Sequence, residues 1–123
     1  MKAGVVGVGK LGGAVAFALA QAVPWDELVL VDTLDRLAWA QAEDVRHGLP
    51  EPARAVVRAG DLADLDGADV VVLAAGKGRT PGMTRLDLLH ANAGLVASLG
   101  AEIGATAPKA TLVVLTNPVD VMT

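Results

Sequence analysis

Gly7-Val8-Gly9-Lys10-Leu11-Gly12 places three glycines in the pattern GxGxxG directly after the apolar run Ala3–Val8. Glycine at these positions gives a tight turn, an open backbone approach and close packing of a following helix on a strand. The free N–H groups and positive dipole of that helix would then favour phosphate oxygens. An acid follows 20 residues after Gly12: Asp32, closing the run LVLVD. Its carboxylate suits ribose hydroxyls and would repel a 2′-phosphate. In a chain with 14 glycines the turn alone is a weak signal, but strand, turn, helix and distal acid together read as a dinucleotide fingerprint.

A second constellation spans Gly76 to Arg85, GKGRTPGMTR. Gly76, Gly78 and Gly82 make the segment mobile, and Pro81 stiffens its centre. Arg79 and Arg85 stand six residues apart. Two guanidinium groups on a mobile loop can each grip a carboxylate in a forked pair. Such a loop can also close over a site and expel water. Equally, these residues could form an ordinary solvated loop, with Arg85 merely opening the next helix. Asn117-Pro118 follows another apolar run and reads either as a ligand-side polar group or as a plain turn.

The elements that must hold these residues alternate. Strands are expected at Ala3–Val8, Glu27–Asp32, 53–59, Asp69–Ala75 and Ala110–Thr116. Helices are expected at Leu11–Ala22, Asp35–His47 and Arg85 to about Ala107, with the first turn of another at Val119–Thr123. Pro24 stops the first helix, and Gly48 with Pro50 stops the second. Arg54 and Arg58 interrupt the third strand's apolar pattern and suit a sheet edge. Continuous apolar strands alternating with helices imply an α/β chain: a Rossmann-type doubly wound parallel sheet of five strands, cut before a sixth. The fifth strand is then expected to carry an exposed edge. Leu37, Trp39, Ala42 and Val45 spread around much of the second helix, hinting at a second covered face.

Composition narrows the chemistry. The 123 residues are 53% hydrophobic and 20% charged, enough for one domain with a core. A net charge of −4 makes nucleic acid and anionic membranes poor partners. Absence of Cys excludes thiol nucleophiles, disulfides and Cys-ligated metals, and absence of Tyr excludes a phenolic acid. Only His47 and His90 are present, so no metal site is expected. The longest uncharged apolar run, Leu11–Val23, has 13 residues, too few to span a membrane. Met1-Lys2 leads straight into a strand, without a signal peptide, so a cytoplasmic setting is expected.

Over its whole length the chain resembles the NAD-dependent lactate/malate dehydrogenase family, through GVGKLGG, LVLVD, AAGKGRTPGMTRLDLL, Asn92-Ala93 and TNPVDVMT. PGMTR and TNPVD are the specific segments. The resemblance implies that residues 1–123 are the dinucleotide-binding domain and that NAD is the cofactor. Gly7, Val8, Gly9, Lys10, Leu11, Gly12, Asp32, Asn92, Leu115, Thr116 and Asn117 are then its contacts. Arg85 would polarise the substrate carbonyl as the loop closes; Arg79, Arg85 and Asn117 would bind substrate. Arg at position 79 resembles malate-type members, because it can pair with the second carboxylate of oxaloacetate; lactate-type members usually carry Gln there. Met83 also resembles the malate group.

Further expectations follow from the same resemblance. The substrate is a small dicarboxylate or 2-oxo acid, malate/oxaloacetate being preferred to lactate/pyruvate, in the setting of the tricarboxylic acid cycle. The second helix's spare face resembles a dimer contact, so a dimeric or tetrameric homo-oligomer is expected. Neither histidine matches the family's general acid/base, so this histidine and the substrate domain are expected beyond residue 123. On the residues alone, a non-catalytic dinucleotide-binding module stays open. So do FAD- or S-adenosylmethionine-binding folds with related turns.

Overall fold

The computed structural model describes residues 1–50 and 55–123. Its elements are β1 (Lys2–Val6), α1 (Lys10–Ala22), β2 (Glu27–Val31), α2 (Asp35–Gly48), β3 (Val56–Gly60), a 3-10 turn (Ala63–Leu65), β4 (Val70–Leu73), α3 (Arg85–Thr106), β5 (Thr111–Val114) and α4 (Val119–Met122). All five strands run parallel, in the order β3-β2-β1-β4-β5. This is the Rossmann-type doubly wound sheet. The chain builds outward from β1 to β3, then crosses back to add β4 on β1's other side. The carboxyl ends of β1 and β4 thus part at the reversal, which opens a crevice there.

Period-two alternation divides the strand residues between two cores. Ala3, Val5, Leu28, Leu30, Val57 and Val72 pack with Ala16 of α1 and Ala38, Ala42 and Val45 of α2. Val6, Val29, Val31, Val71 and Leu73 face the other way, against Leu65, Val96 and Ile103. Gly4 belongs to this second face, where a Cβ would lie 2.3 Å from Leu65 Cδ2. Both faces of β1, β2 and β4 are therefore dry, which explains why their sequences are almost unbroken Val, Leu and Ala.

The strands stop short of the expected ends. Val8, Asp32, Ala75 and Thr116 lie beyond the ladders because the chains diverge toward the crevice. One further bond holds each divergence: Gly7 N–H to Val31 O (2.8 Å), Ala74 N–H to Val6 O (2.8 Å), and Leu115 N–H to Leu73 O (2.8 Å). The third strand starts at Val56; positions 53 and 54 of the expected span lie outside the described residues. Gly48 ends α2 from within rather than stopping it from outside, and its φ is not positive. It serves packing: a Cβ there would sit 2.5 Å from Phe17 Cε2 on α1.

β3 and β5 are the edges of the sheet. On β5, Leu112 and Val113 remain 37% and 40% exposed. On β3, Arg58 is not simply solvated. Its Nε donates to Glu27 on β2 (2.7 Å) and its Nη2 to Asp64 of the 3-10 turn (3.0 Å), while Lys2 Nζ lies 3.2 Å from Glu27. The 3-10 turn was absent from the sequence expectations. Asp61 and Asp64 close it by accepting from each other's backbone N–H groups.

The Arg58 guanidinium lowers the carboxyl pKa of Glu27, helped by Lys2, and of Asp64, helped by the Asp61 N–H. A depressed folded pKa stabilises above the unfolded carboxylate range and ceases to do so as pH falls through the folded value. Arg58→Gln is therefore expected to lower Tm by a few degrees at neutral pH. The gap should narrow as pH falls below the ordinary carboxylate range and through the lowered folded values. Thermal scans from pH 7 to pH 2 check this; a gap independent of pH would contradict it.

Candidate functional site

A cavity of about 1280 Å³ opens at the carboxyl end of the sheet. The turn after β1 forms its floor. Gly7 takes φ +87°, and a Cβ there would meet the Ala75 backbone at 2.4 Å. At Gly12 a Cβ would fall 1.8 Å from Gly7 O. Helix α1 can therefore begin only against a bare turn. Gly9, by contrast, has open space where its Cβ would be. It caps α1 with no side-chain hydrogen bond, and the first turn carries no acid. The first N–H groups of α1 thus face the cavity without side-chain partners, as an anion site requires.

α3 starts differently. Thr84 and Asp87 form a capping box: Asp87 N–H donates to Thr84 Oγ1 (3.1 Å) and Thr84 N–H to Asp87 Oδ2 (2.8 Å). The backbone and hydroxyl bonds from Thr84 hold the Asp87 carboxyl below its usual pKa. Its N-terminus is therefore already served by a carboxylate.

Asp32 stands at the end of β2 and lines the cavity. Oδ2 accepts from Val8 N–H at 3.0 Å, and Oδ1 accepts from Leu34 N–H at 3.1 Å. One carboxylate thus ties the glycine turn to β2 while keeping lone pairs for a diol.

The loop after β4 brings both expected arginines to the cavity. Arg79 Nε donates to Met83 O at 3.0 Å, which folds the loop tip onto itself, with Gly82 at φ +88°. Arg85, the first residue of α3, pairs with Asp120 of α4; both side chains are largely exposed. Leu115, Thr116 and Asn117 line the side beyond β5, and the Asn117–Pro118 peptide bond is cis. Thr116 is buried and donates to Ala75 O at 2.7 Å.

Of the residues expected from sequence, Gly7, Gly9, Lys10, Leu11, Gly12, Asp32, Arg79, Arg85, Leu115, Thr116 and Asn117 surround one cavity. Val8 and Asn92 do not line it. Val8 is buried beneath the turn, and Asn92 is 1% exposed within α3. Asp61, Leu62 and Ala63, together with Leu95 and Leu99 of α3, line the cavity and were not anticipated. The first three follow β3, so their place at the carboxyl end of a parallel strand was the available signal. Leu95 and Leu99 gave none, since their spacing equally suits a helix face turned to the core. His47 and His90 are exposed and outside the cavity. Among the described residues no cluster of three acidic or histidine side chains could hold a metal, and no helix is long and apolar enough to cross a membrane.

The contrast at the glycines is testable. Gly12→Ala is expected to destabilise the fold by roughly 3 kcal/mol, because the new methyl meets backbone rather than a movable side chain. Gly9→Ala is expected to leave stability within about 0.5 kcal/mol. It should nevertheless weaken dinucleotide binding roughly tenfold or more, by filling the backbone approach. Urea unfolding and NADH titration of both variants check the pair.

Comparison with known proteins agrees with this geometry. The family model for the lactate/malate dehydrogenase NAD-binding domain matches residues 1–123. The L-lactate dehydrogenase of Thermus aquaticus is 48% identical over the whole chain, which covers 40% of that protein. The malate dehydrogenase of Archaeoglobus fulgidus is 40% identical over 126 aligned residues, all of this chain and 42% of that protein. Its structure in complex with NADH superposes with a TM-score of 0.92, again over all of this chain and 42% of the other. The chain spans about 40% of the length of these curated relatives. The chain belongs to the lactate/malate dehydrogenase family, matching the model of that family's NAD-binding domain over residues 1–123.

Proposed function

We propose that the protein to which this domain belongs transfers hydride between NAD(H) and a 2-hydroxy/2-oxo acid, with malate and oxaloacetate preferred. Bound NAD supplies the nicotinamide that accepts or delivers the hydride. The residues present fit it: a bare turn at Gly9, uncapped N–H groups on α1, and Asp32 at the far end of β2. Lys10 and Leu11 then flank the pyrophosphate, and Leu115, Thr116 and Asn117 border the nicotinamide half. Asp32 accepts from the adenosine ribose and disfavours NADP by repelling its 2′-phosphate.

Arg79 carries the substrate assignment. It lies on the loop bordering the cavity, six residues before Arg85. A second carboxylate beside it gains a forked pair, whereas pyruvate leaves the guanidinium unpaired in a closed site. Arg85 polarises the substrate carbonyl, where negative charge develops on oxygen. Asn117 contacts substrate. The general acid that protonates this oxygen, and the rest of the substrate site, belong to a part of the protein outside residues 1–123.

The lactate reading has its own support: relatives at 46% and 48% identity are named L-lactate dehydrogenase. Cytoplasmic location, a tricarboxylic acid cycle setting and assembly as a dimer or tetramer belong to the proposal as well. For assembly the support is α2, where Trp39 is 63% exposed while Ala38, Ala42 and Val45 are buried.

Calorimetric titration of the chain with NADH, NADPH and S-adenosylmethionine tests the cofactor. NADH is expected to bind most tightly, and Asp32→Ala to weaken NADH and narrow its advantage over NADPH. Unchanged binding would remove Asp32 from the ribose site. In the full-length protein, Arg79→Gln is expected to shift the oxaloacetate-to-pyruvate ratio of kcat/KM toward pyruvate by at least roughly tenfold. An unchanged ratio would remove Arg79 as selector.

A further inference from the structure

We propose that Asn92 is a positioning residue that locks the two substrate-side loops into one unit. Its side chain is buried in α3, and all its bonds go to backbone. Oδ1 accepts from Lys77 N–H at 2.8 Å. Nδ2 donates to Lys77 O at 3.2 Å and to Asn117 O at 3.0 Å. Three of the four bonds a carboxamide can make are therefore made, and they join the loop after β4 to the loop after β5.

The surroundings are shaped for this bridge. A Cβ on Gly76 would lie 2.6 Å from Thr116 Cγ2 and 3.3 Å from Asn92 Oδ1, so only glycine lets the two loops close on the asparagine. Beyond Lys77 the arginine loop bonds to itself, through Arg79 to Met83 O and Met83 N–H to Thr80 O, until the Thr84–Asp87 cap. Both ends of the loop are thus fixed to α3: one at Asn92, the other at Thr84. Residues 78–83 between them, which carry Arg79, make their hydrogen bonds to one another. Asn117, held by the same carboxamide, keeps a set distance from the loop's fixed end. The consequence for substrate rests on the dehydrogenase reading above; the bridge itself does not.

Thr116 Oγ1 also joins these two segments by donating to Ala75 O at 2.7 Å, but the Asn92 carboxamide ties both of them to α3. Asp in place of Asn keeps the shape but loses both donated bonds, leaving carboxylate oxygens facing the Lys77 and Asn117 carbonyls. Ala removes all three bonds.

The test is backbone amide exchange of the chain by NMR, without ligand and then during titration with NADH. In Asn92→Ala and Asn92→Asp, exchange at Lys77 is expected to rise roughly tenfold, while amides of the Gly7–Gly12 turn keep wild-type rates. On adding NADH, the wild-type chain should shift Asn117, the Asn92 carboxamide protons and Lys77 together. In the variants Asn117 should still shift on adding NADH while Lys77 exchange stays raised. Unchanged Lys77 exchange, or a uniform rise through α3 and the sheet, would overturn the proposal. Should neither variant fold, the wild-type carboxamide protons decide: slowed exchange is expected, and free exchange overturns it. If NADH does not bind the wild-type chain, the dinucleotide reading fails, while the ligand-free arm still decides the bridge.

Discussion

The ligand end of the sheet depends on backbone meeting backbone. The oxygen of Gly7 occupies the place a Gly12 side chain would take, and the Ala75 backbone occupies the place of a Gly7 side chain. Because these contacts involve main chain, no rotamer change can relieve them. They set three things at once: how near α1 lies to β1, how far β4's loop stands from the turn, and where the crevice opens. The Asp32 carboxylate completes the arrangement by bonding Val8 N–H from the next strand. A turn so determined needs no ligand to take its shape, and a preorganised site loses little order on binding.

Electrostatics distinguishes α1 from α3 at the cavity. α1 begins without a cap and without an acid, so its positive end faces the cavity unbalanced. α3 begins with its own carboxylate in place. Anionic charge is therefore directed to one side of the cavity. Arg79 on the loop between β4 and α3, and Arg85 at the start of α3, provide a second source of positive charge on the other.

Much of this was legible in the residues. Apolar runs of the right length gave all five strands, and Pro24 and Thr84 sit where helices stop and start. The glycine turn and Asp32 were legible because each role demands a residue type that few alternatives satisfy. What stayed hidden depended on tertiary neighbours. Gly48 read as a helix stop, yet Phe17 from another helix explains it. The motif marked Asn92 but not the three backbone bonds of its buried carboxamide, which depend on two distant loops. Leu95 and Leu99 look like core residues, because a cavity wall and a core wall ask for the same apolar side chains.

Strand order also governs how this chain can fold. β1 is made first, yet it finishes in the middle of the sheet. Once β1, β2 and β3 have paired, one side of β1 stays bare until Val70–Leu73 arrives, about seventy residues after Lys2. No hairpin can seed the sheet, because every pairing is parallel and each must close a long intervening stretch of chain. Such non-local topology slows folding compared with a helical bundle of similar size. During that interval Val5 and Val6 sit on an open strand edge, so a strand buried on both faces in the finished protein is a sticky one in the nascent chain.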